Sequence, residues 1–221
     1  EMFITGYPPE DLILREDLLD QAYEAVHELS KFRPENFVVI GYPKREEDSI
    51  FNCAGVLRNN SIITEYKKQE LPNYEVFDEK RYFQPGNSSG IFEVNGFRVG
   101  LSVCEDIWHQ KVITQLHDKG ADLVLNINAS PFHLNKIQER KNLISGHASK
   151  FSMPIVYANQ VGGQDELVFD GTSMAMDSEG KQVLQLAKFE EDQAVVSFLS
   201  QHDGNILSDK NEVIPEDSEL E

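Results

Sequence analysis

Leu18, Leu19, Ala22, Val26 and Leu29 recur at the spacing of one helix face, which predicts an amphipathic helix over residues 16–32. Pro34 stops it. The apolar run Phe37-Val38-Val39-Ile40-Gly41 predicts a short buried strand. Two more strands are expected at 50–57 and 62–66, with Arg58-Asn59-Asn60-Ser61 as the hairpin turn between them. Residues 71–86 read as a polar loop rich in aromatics. The runs 91–94 and 97–103 predict a second hairpin around Asn95-Gly96, the strongest short hairpin signal in the chain.

A helix is expected from about 106 to 119, ended by Gly120, and a buried strand at 122–126. Residues 133–150 predict another helix, with Leu134, Ile137, Ile144 and Ala148 on or near one face. Pro154 precedes a strand at 155–159. After it come short strands at 167–169, 172–176, 183–186 and 194–198, with a turn at Asp177-Ser178-Glu179-Gly180. Strands interleaved with helices, then antiparallel hairpins, predict a layered α/β fold.

The chain has 221 residues, 40% of them hydrophobic, enough for a large α/β core. No composition break divides it, so one domain is expected over 1–207. Residues 208–221 read as an acidic, solvated linker. A net charge of −18 argues against nucleic acid or an anionic membrane as partner. No signal peptide, lipidation motif or membrane-length apolar run is visible. The two cysteines, Cys53 and Cys104, form no CxxC pair, and the reading is a reducing, cytoplasmic setting. The six histidines lack metal-ligand spacing, so no metal is expected. Gly180-Lys181 is followed by Gln182 and reads as a turn, not a phosphate loop. The opening Glu1-Met2-Phe3-Ile4-Thr5-Gly6-Tyr7 reads as a strand exit, so the chain is expected to be a piece of a longer protein.

The candidate chemistry centres on Gly100-Leu101-Ser102-Val103-Cys104-Glu105-Asp106-Ile107-Trp108. An apolar strand ends in a lone cysteine, and a helix-like segment follows. Backbone N–H groups at a helix start favour a thiolate and can stabilise an oxyanion, so Cys104 is the expected nucleophile. Cys53 is expected to be structural.

At this point the chain resembles the carbon–nitrogen hydrolase (nitrilase) superfamily, and within it the glutamine-hydrolysing domains of glutamine-dependent NAD+ synthetases. Four ordered blocks carry the likeness: residues 1–12, residues 66–83, Cys104-Glu105-Asp106-Ile107-Trp108, and residues 159–171. The resemblance implies a four-layer α-β-β-α sandwich whose first strand and helix lie ahead of Glu1. It also implies a catalytic triad of Glu1, Lys68 and Cys104. A carboxylate of raised pKa at Glu1 would take the thiol proton and return it to the leaving nitrogen. Lys68 would supply positive charge to the tetrahedral intermediate.

For glutamine itself, Tyr74 is expected as a pocket wall and hydrogen-bond partner. Glu105 is expected to bind the amino group or to orient Lys68. Ser130 follows a strand end, where α/β folds collect ligand contacts. Lys136, and Arg140 beside it on the same helix, are candidates for the substrate carboxylate. Trp108 reads as pocket wall or core, and Asp165 and Glu166 as loop or interface residues. No cofactor is expected in this domain. ATP and Mg2+ belong to a synthetase domain whose Ser-Gly-Gly-x-Asp-Ser loop this sequence lacks. The implied partners are L-glutamine, that synthetase domain, and further copies of the chain. Two other readings stand beside this one: a stand-alone amidase of the superfamily, and a non-catalytic interaction domain of the same fold.

Overall fold

The computed structural model describes residues 1–198 and the backbone of residues 206–208. It comprises two compact units, one of Glu1–Ala129 and one beginning at Ser130.

The first unit opens with a 3-10 turn, Glu10–Leu14, and helix α1, Glu16–Ser30. An antiparallel meander follows: β1 (Val38–Glu46), β2 (Ser49–Arg58) and β3 (Ser61–Lys67). The short helix α2 (Glu79–Tyr82) interrupts the aromatic loop. Strands β4 (Gly90–Val94) and β5 (Phe97–Val103) pair as the expected hairpin, and β6 (Leu123–Asn128) joins β5 in parallel. Between β5 and β6 lie a 3-10 turn, Cys104–Trp108, and helix α3, Gln110–Asp118.

Helix α1 lays its stripe on the meander. Val26 joins Ile40, Tyr42, Cys53 and Leu57 in one buried cluster. Burial of several large apolar side chains there contributes on the order of 1.5–3 kcal/mol each. On the other side of the meander, a Cβ on Gly90 would meet Tyr66 at 2.6 Å, so β4 lies directly against β3. Helix α3 covers β5, where a Cβ on Gly100 would come within 3.0 Å of Leu116. Within this unit the layers therefore run helix, sheet, sheet, helix.

The two-residue period of a strand explains how one segment serves both core and site. Cys53 points into the α1 cluster, whereas Asn52, one position earlier, reaches Glu1. Cys53 is thus a core residue, and burial pushes its thiol up to about 12.

The second unit contains α4 (Lys136–Phe151), an antiparallel set of β7 (Ile155–Asn159), β10 (Met174–Met176) and β11 (Gln182–Gln185), and the hairpin of β8 (Val161–Gln164) and β9 (Leu167–Asp170). Asp165 and Glu166 form that hairpin's exposed turn. Strand β12 (Val196–Phe198) pairs with β13 (Ile206–Ser208). The acidic linker expected over 208–221 lies outside the described residues, save for the backbone of Ser208.

Three of the boundaries that differ from the sequence reading have a visible backbone cause. Strand β1 runs on to Glu46 because Lys44, Arg45 and Glu46 keep pairing with β2, a hairpin that closes at Glu47 with φ of 51°. The helix expected over 106–119 breaks at His109, whose backbone is extended (φ −112°, ψ 124°). Helix α4 starts at Lys136, behind Asn135 in the left-handed region (φ 66°). Among the described residues no helix is long and apolar enough to cross a membrane, and no cluster of His, Cys, Asp or Glu is arranged to hold a metal.

Candidate active site

Glu1, Lys68, Glu79 and Cys104 are all buried, and the first unit brings them together. Lys68 follows the last residue of β3. Its N–H donates to the Asn52 carbonyl at 2.8 Å, and its own carbonyl accepts the N–H of Gly86 at 2.8 Å. Its ammonium donates to Glu1 Oε1 at 2.7 Å and to Glu79 Oε1 at 2.6 Å. Glu1 is held from two further sides, by Asn52 Nδ2 at 2.7 Å and the Ala129 N–H at 3.1 Å. Gly41 forms the floor beneath it: a Cβ there would lie 2.7 Å from the Glu1 Cα. Cys104 sits at the exit of β5 with φ of 42°, a backbone region that non-glycine residues adopt at a cost and that recurs at functional sites. Its thiol interacts electrostatically with the Glu1 carboxylate and the Lys68 ammonium.

The charges are unevenly poised. Burial is the strongest single influence and lifts the Glu1 carboxyl, but the positive charges beside it, the Lys68 ammonium foremost and the amino group of Glu1 after it, together hold it below its ordinary value. Burial raises Glu79 to about 7 despite the same ammonium. Tyr7 donates its hydroxyl to Glu79 Oε1 at 2.8 Å, while Glu79 Oε2 has no hydrogen-bond partner among the described residues. Burial and the neighbouring Glu1 push the Cys104 thiol well up, so its resting form is the neutral thiol. Two expectations are corrected here. The segment after Cys104 is a five-residue 3-10 turn, too short to stabilise a thiolate against burial and the Glu1 charge. The raised carboxylate is Glu79, because the carboxylate shared with Asn52 and Ala129 is the better stabilised of the two.

Asp106 braces the two halves of the site. Its Oδ1 accepts the N–H groups of Gln69 (3.1 Å) and Glu70 (2.9 Å), directly after Lys68. Its Oδ2 accepts the N–H of Val103 (2.8 Å), directly before Cys104, and the Tyr66 hydroxyl (2.8 Å). Burial lifts its carboxyl to about 6.

Beside this core lies a cavity of about 600 Å³, lined in part by Tyr74, Lys80, Phe83, Glu105 and His109. The Tyr74 hydroxyl donates to Glu105 Oε2 at 2.9 Å.

The sequence profile of the family described as Carbon-nitrogen hydrolase matches residues 1–201. The chain belongs to the carbon–nitrogen hydrolase family. Proteins named glutamine-dependent NAD(+) synthetase from Aquifex aeolicus and Acinetobacter baylyi are 40% and 38% identical to it, over 90% and 87% of this chain. The chain spans about a third of those relatives, 35% and 36% of their lengths. A solved structure of glutamine-dependent NAD+ synthetase from Acinetobacter baumannii, in complex with ADP, superposes with a TM-score of 0.81 at 41% identity, over 85% of this chain and 36% of that one. A mutant of a Nesterenkonia amidase from the nitrilase superfamily superposes with a TM-score of 0.72 at 22% identity, over 82% of this chain and 69% of that one, which shows the shared fold.

As a carbon–nitrogen hydrolase, the chain places its sequence-predicted residues unequally. Glu1, Lys68 and Cys104 converge. Glu105 lies on the cavity, but it does not orient Lys68, whose two carboxylates are Glu1 and Glu79. In the second unit, Ser130 and Arg140 are tied to each other. Arg140 is 0% exposed, pairs with Asp170 at 2.8 Å, and donates to the Ser130 hydroxyl and to the carbonyls of Ser130 and Pro131. That commitment removes Arg140 as a free partner for a substrate carboxylate. Lys136 lies 3.5 Å from Glu139 on the same helix. Trp108 is half-buried in the 3-10 turn. Sequence reasoning missed Glu79, Tyr7, Asn52 and Asp106 as site residues. All but Asn52 fall inside the blocks of family likeness, yet Tyr7 and Glu79 stand 72 positions apart and no periodicity pairs them.

Proposed function

We propose that this chain is the glutamine-hydrolysing part of a glutamine-dependent NAD+ synthetase. The observation that carries the reading is a buried thiol at positive φ, electrostatically coupled to Glu1, which itself shares one ammonium with Glu79. The names of the relatives supply the substrate.

The Cys104 sulfur attacks the side-chain carbonyl of glutamine as Glu1 takes the thiol proton. This order suits a thiol that burial keeps neutral and a carboxylate that Lys68 keeps ionised. Lys68 and the N–H following Cys104 stabilise the tetrahedral oxyanion. The intermediate collapses as Glu1 returns its proton to the departing nitrogen, leaving ammonia and a γ-glutamyl thioester. Water, deprotonated by Glu1, attacks the thioester. Glutamate leaves and Cys104 regains its proton. Tyr74 and Glu105 hold the α-ammonium end of the substrate. The ammonia passes to a synthetase domain outside this chain, which uses ATP and Mg2+ to amidate nicotinic acid adenine dinucleotide. The free, buried thiols of Cys53 and Cys104 support a cytoplasmic setting, and assembly into homo-oligomers belongs to the same proposal by family analogy.

The test is intact mass of the full-length protein before and after 6-diazo-5-oxo-L-norleucine, a glutamine-shaped alkylator. One adduct on Cys104 is expected. The Cys104→Ala variant is expected to lose glutamine-dependent NAD+ synthesis and to keep synthesis from free ammonia. No adduct with glutamine turnover absent, or loss of the ammonia reaction as well, would overturn the reading. Turnover of other amides in preference to glutamine would favour a stand-alone amidase.

A further inference from the structure

His109 stands at the residue just before α3, where helices favour Ser, Thr, Asp or Asn because a short side chain caps the first turn. Its imidazole caps nothing there. Instead Nε2 lies 3.1 Å from Glu105 Oε1. Glu105 Oε2 is already taken by the Tyr74 hydroxyl. Both carboxylate oxygens are therefore anchored, from two different segments, at the wall of the 600 Å³ cavity that all three residues line. Of the other charged groups near that wall, Glu70 is held by Lys111 at 2.7 Å, and Lys80 lines the cavity itself.

We propose that His109 is a positioning residue for substrate recognition, fixing the Glu105 carboxylate so that its remaining lone pairs receive the α-ammonium of an amino-acid amide. The proposal rests on the glutaminase reading and deepens it. A carboxylate offers about four acceptor directions, and Tyr74 and His109 occupy one on each oxygen. The two left over lie in a plane that the pair of anchors sets. Without His109 the carboxylate pivots about its Tyr74 contact, Oε1 hydrates, and binding must order it again. A half-exposed histidine that leaves its helix uncapped contributes little to folding, so its position is better explained by Glu105 than by stability.

The experiment compares L-glutamine with glutaramate, the same amide without the α-amino group, in the full-length protein. His109→Ala is expected to raise the KM for glutamine on the order of tenfold, and that for glutaramate less than about twofold. His109→Gln keeps an N–H donor within reach and is expected to recover most of the glutamine KM, with kcat following KM in neither variant. A glutamine-to-glutaramate preference equal to wild type in the Ala variant, or equally damaged by Gln and Ala, overturns the role of His109. A wild-type protein that hydrolyses neither amide overturns the glutaminase reading instead.

Discussion

Glu1 and Lys68 meet in a 2.7 Å contact sealed from solvent, although 67 positions separate them in the chain. Glu79 meets the same ammonium from the other side at 2.6 Å. One buried cation thus offsets two buried carboxylates, and the balance depends on Glu79 holding a proton for part of the time.

Removing the cation is expected to be severe. Lys68→Met leaves both carboxylates without a counter-charge and should cost about 3–5 kcal/mol of stability as well as the glutaminase reaction. Adding Glu79→Gln in that background should restore part of the stability, because one of the two stranded charges is gone. Urea unfolding of the single and double variants checks this. Strictly additive effects would mean that Lys68 and Glu79 do not share a charge balance.

Stability should also fall with rising pH. Burial holds Glu79 at about 7 and Asp106 at about 6, both above their ordinary values of 4.5 and 3.8. Over that window the folded chain keeps protons that the unfolded chain has released, so the folded state loses its advantage as pH rises. Glu1 is held low and does not titrate there. The urea midpoint is therefore expected to be higher near about pH 5 than near about pH 8, and Glu79→Gln should remove much of the decline. An unchanged slope in that variant would assign it elsewhere.

Asp106→Asn tests the brace. The amide keeps one acceptor for Gln69 and Glu70 but turns a donor toward the Val103 N–H and the Tyr66 hydroxyl, or the reverse. The lysine loop and the cysteine turn then lose their common anchor. The expected result is a fall in kcat of about tenfold or more with the glutamine KM within about twofold, since misplacing reacting groups by ~1 Å costs rate more than binding. A loss confined to thermal stability, with kcat intact, would reduce Asp106 to a structural residue.

Arg140 should behave as a structural cation. Its guanidinium is spent on Asp170, Ser130 and Pro131. Arg140→Met is expected to destabilise by about 3–5 kcal/mol by stranding Asp170. The gentler Arg140→Lys should keep the glutamine KM of the wild type. A KM that rises sharply in a well-folded Lys variant would return Arg140 to the substrate.

Local pattern by itself determined the hairpin at Asn95-Gly96, the α1 stripe, the strand ending at Cys104 and the layered α/β class. Each of these depends on neighbours only a few positions apart, and propensity and periodicity act over that range. Resemblance of ordered blocks added Glu1 and Lys68. Tertiary structure alone decided which carboxylate carries the proton, because the pKa difference between Glu1 and Glu79 arises from burial and from how many donors each meets across the fold. It decided that Asp106 braces the site, since the N–H groups of Gln69 and Glu70, far back in the chain, claim one of its oxygens and Val103 and Tyr66 the other. It also turned Arg140 from a candidate for the substrate carboxylate into a buried ion pair, because Asp170, 30 positions on, comes within hydrogen-bond reach only when the second unit has folded.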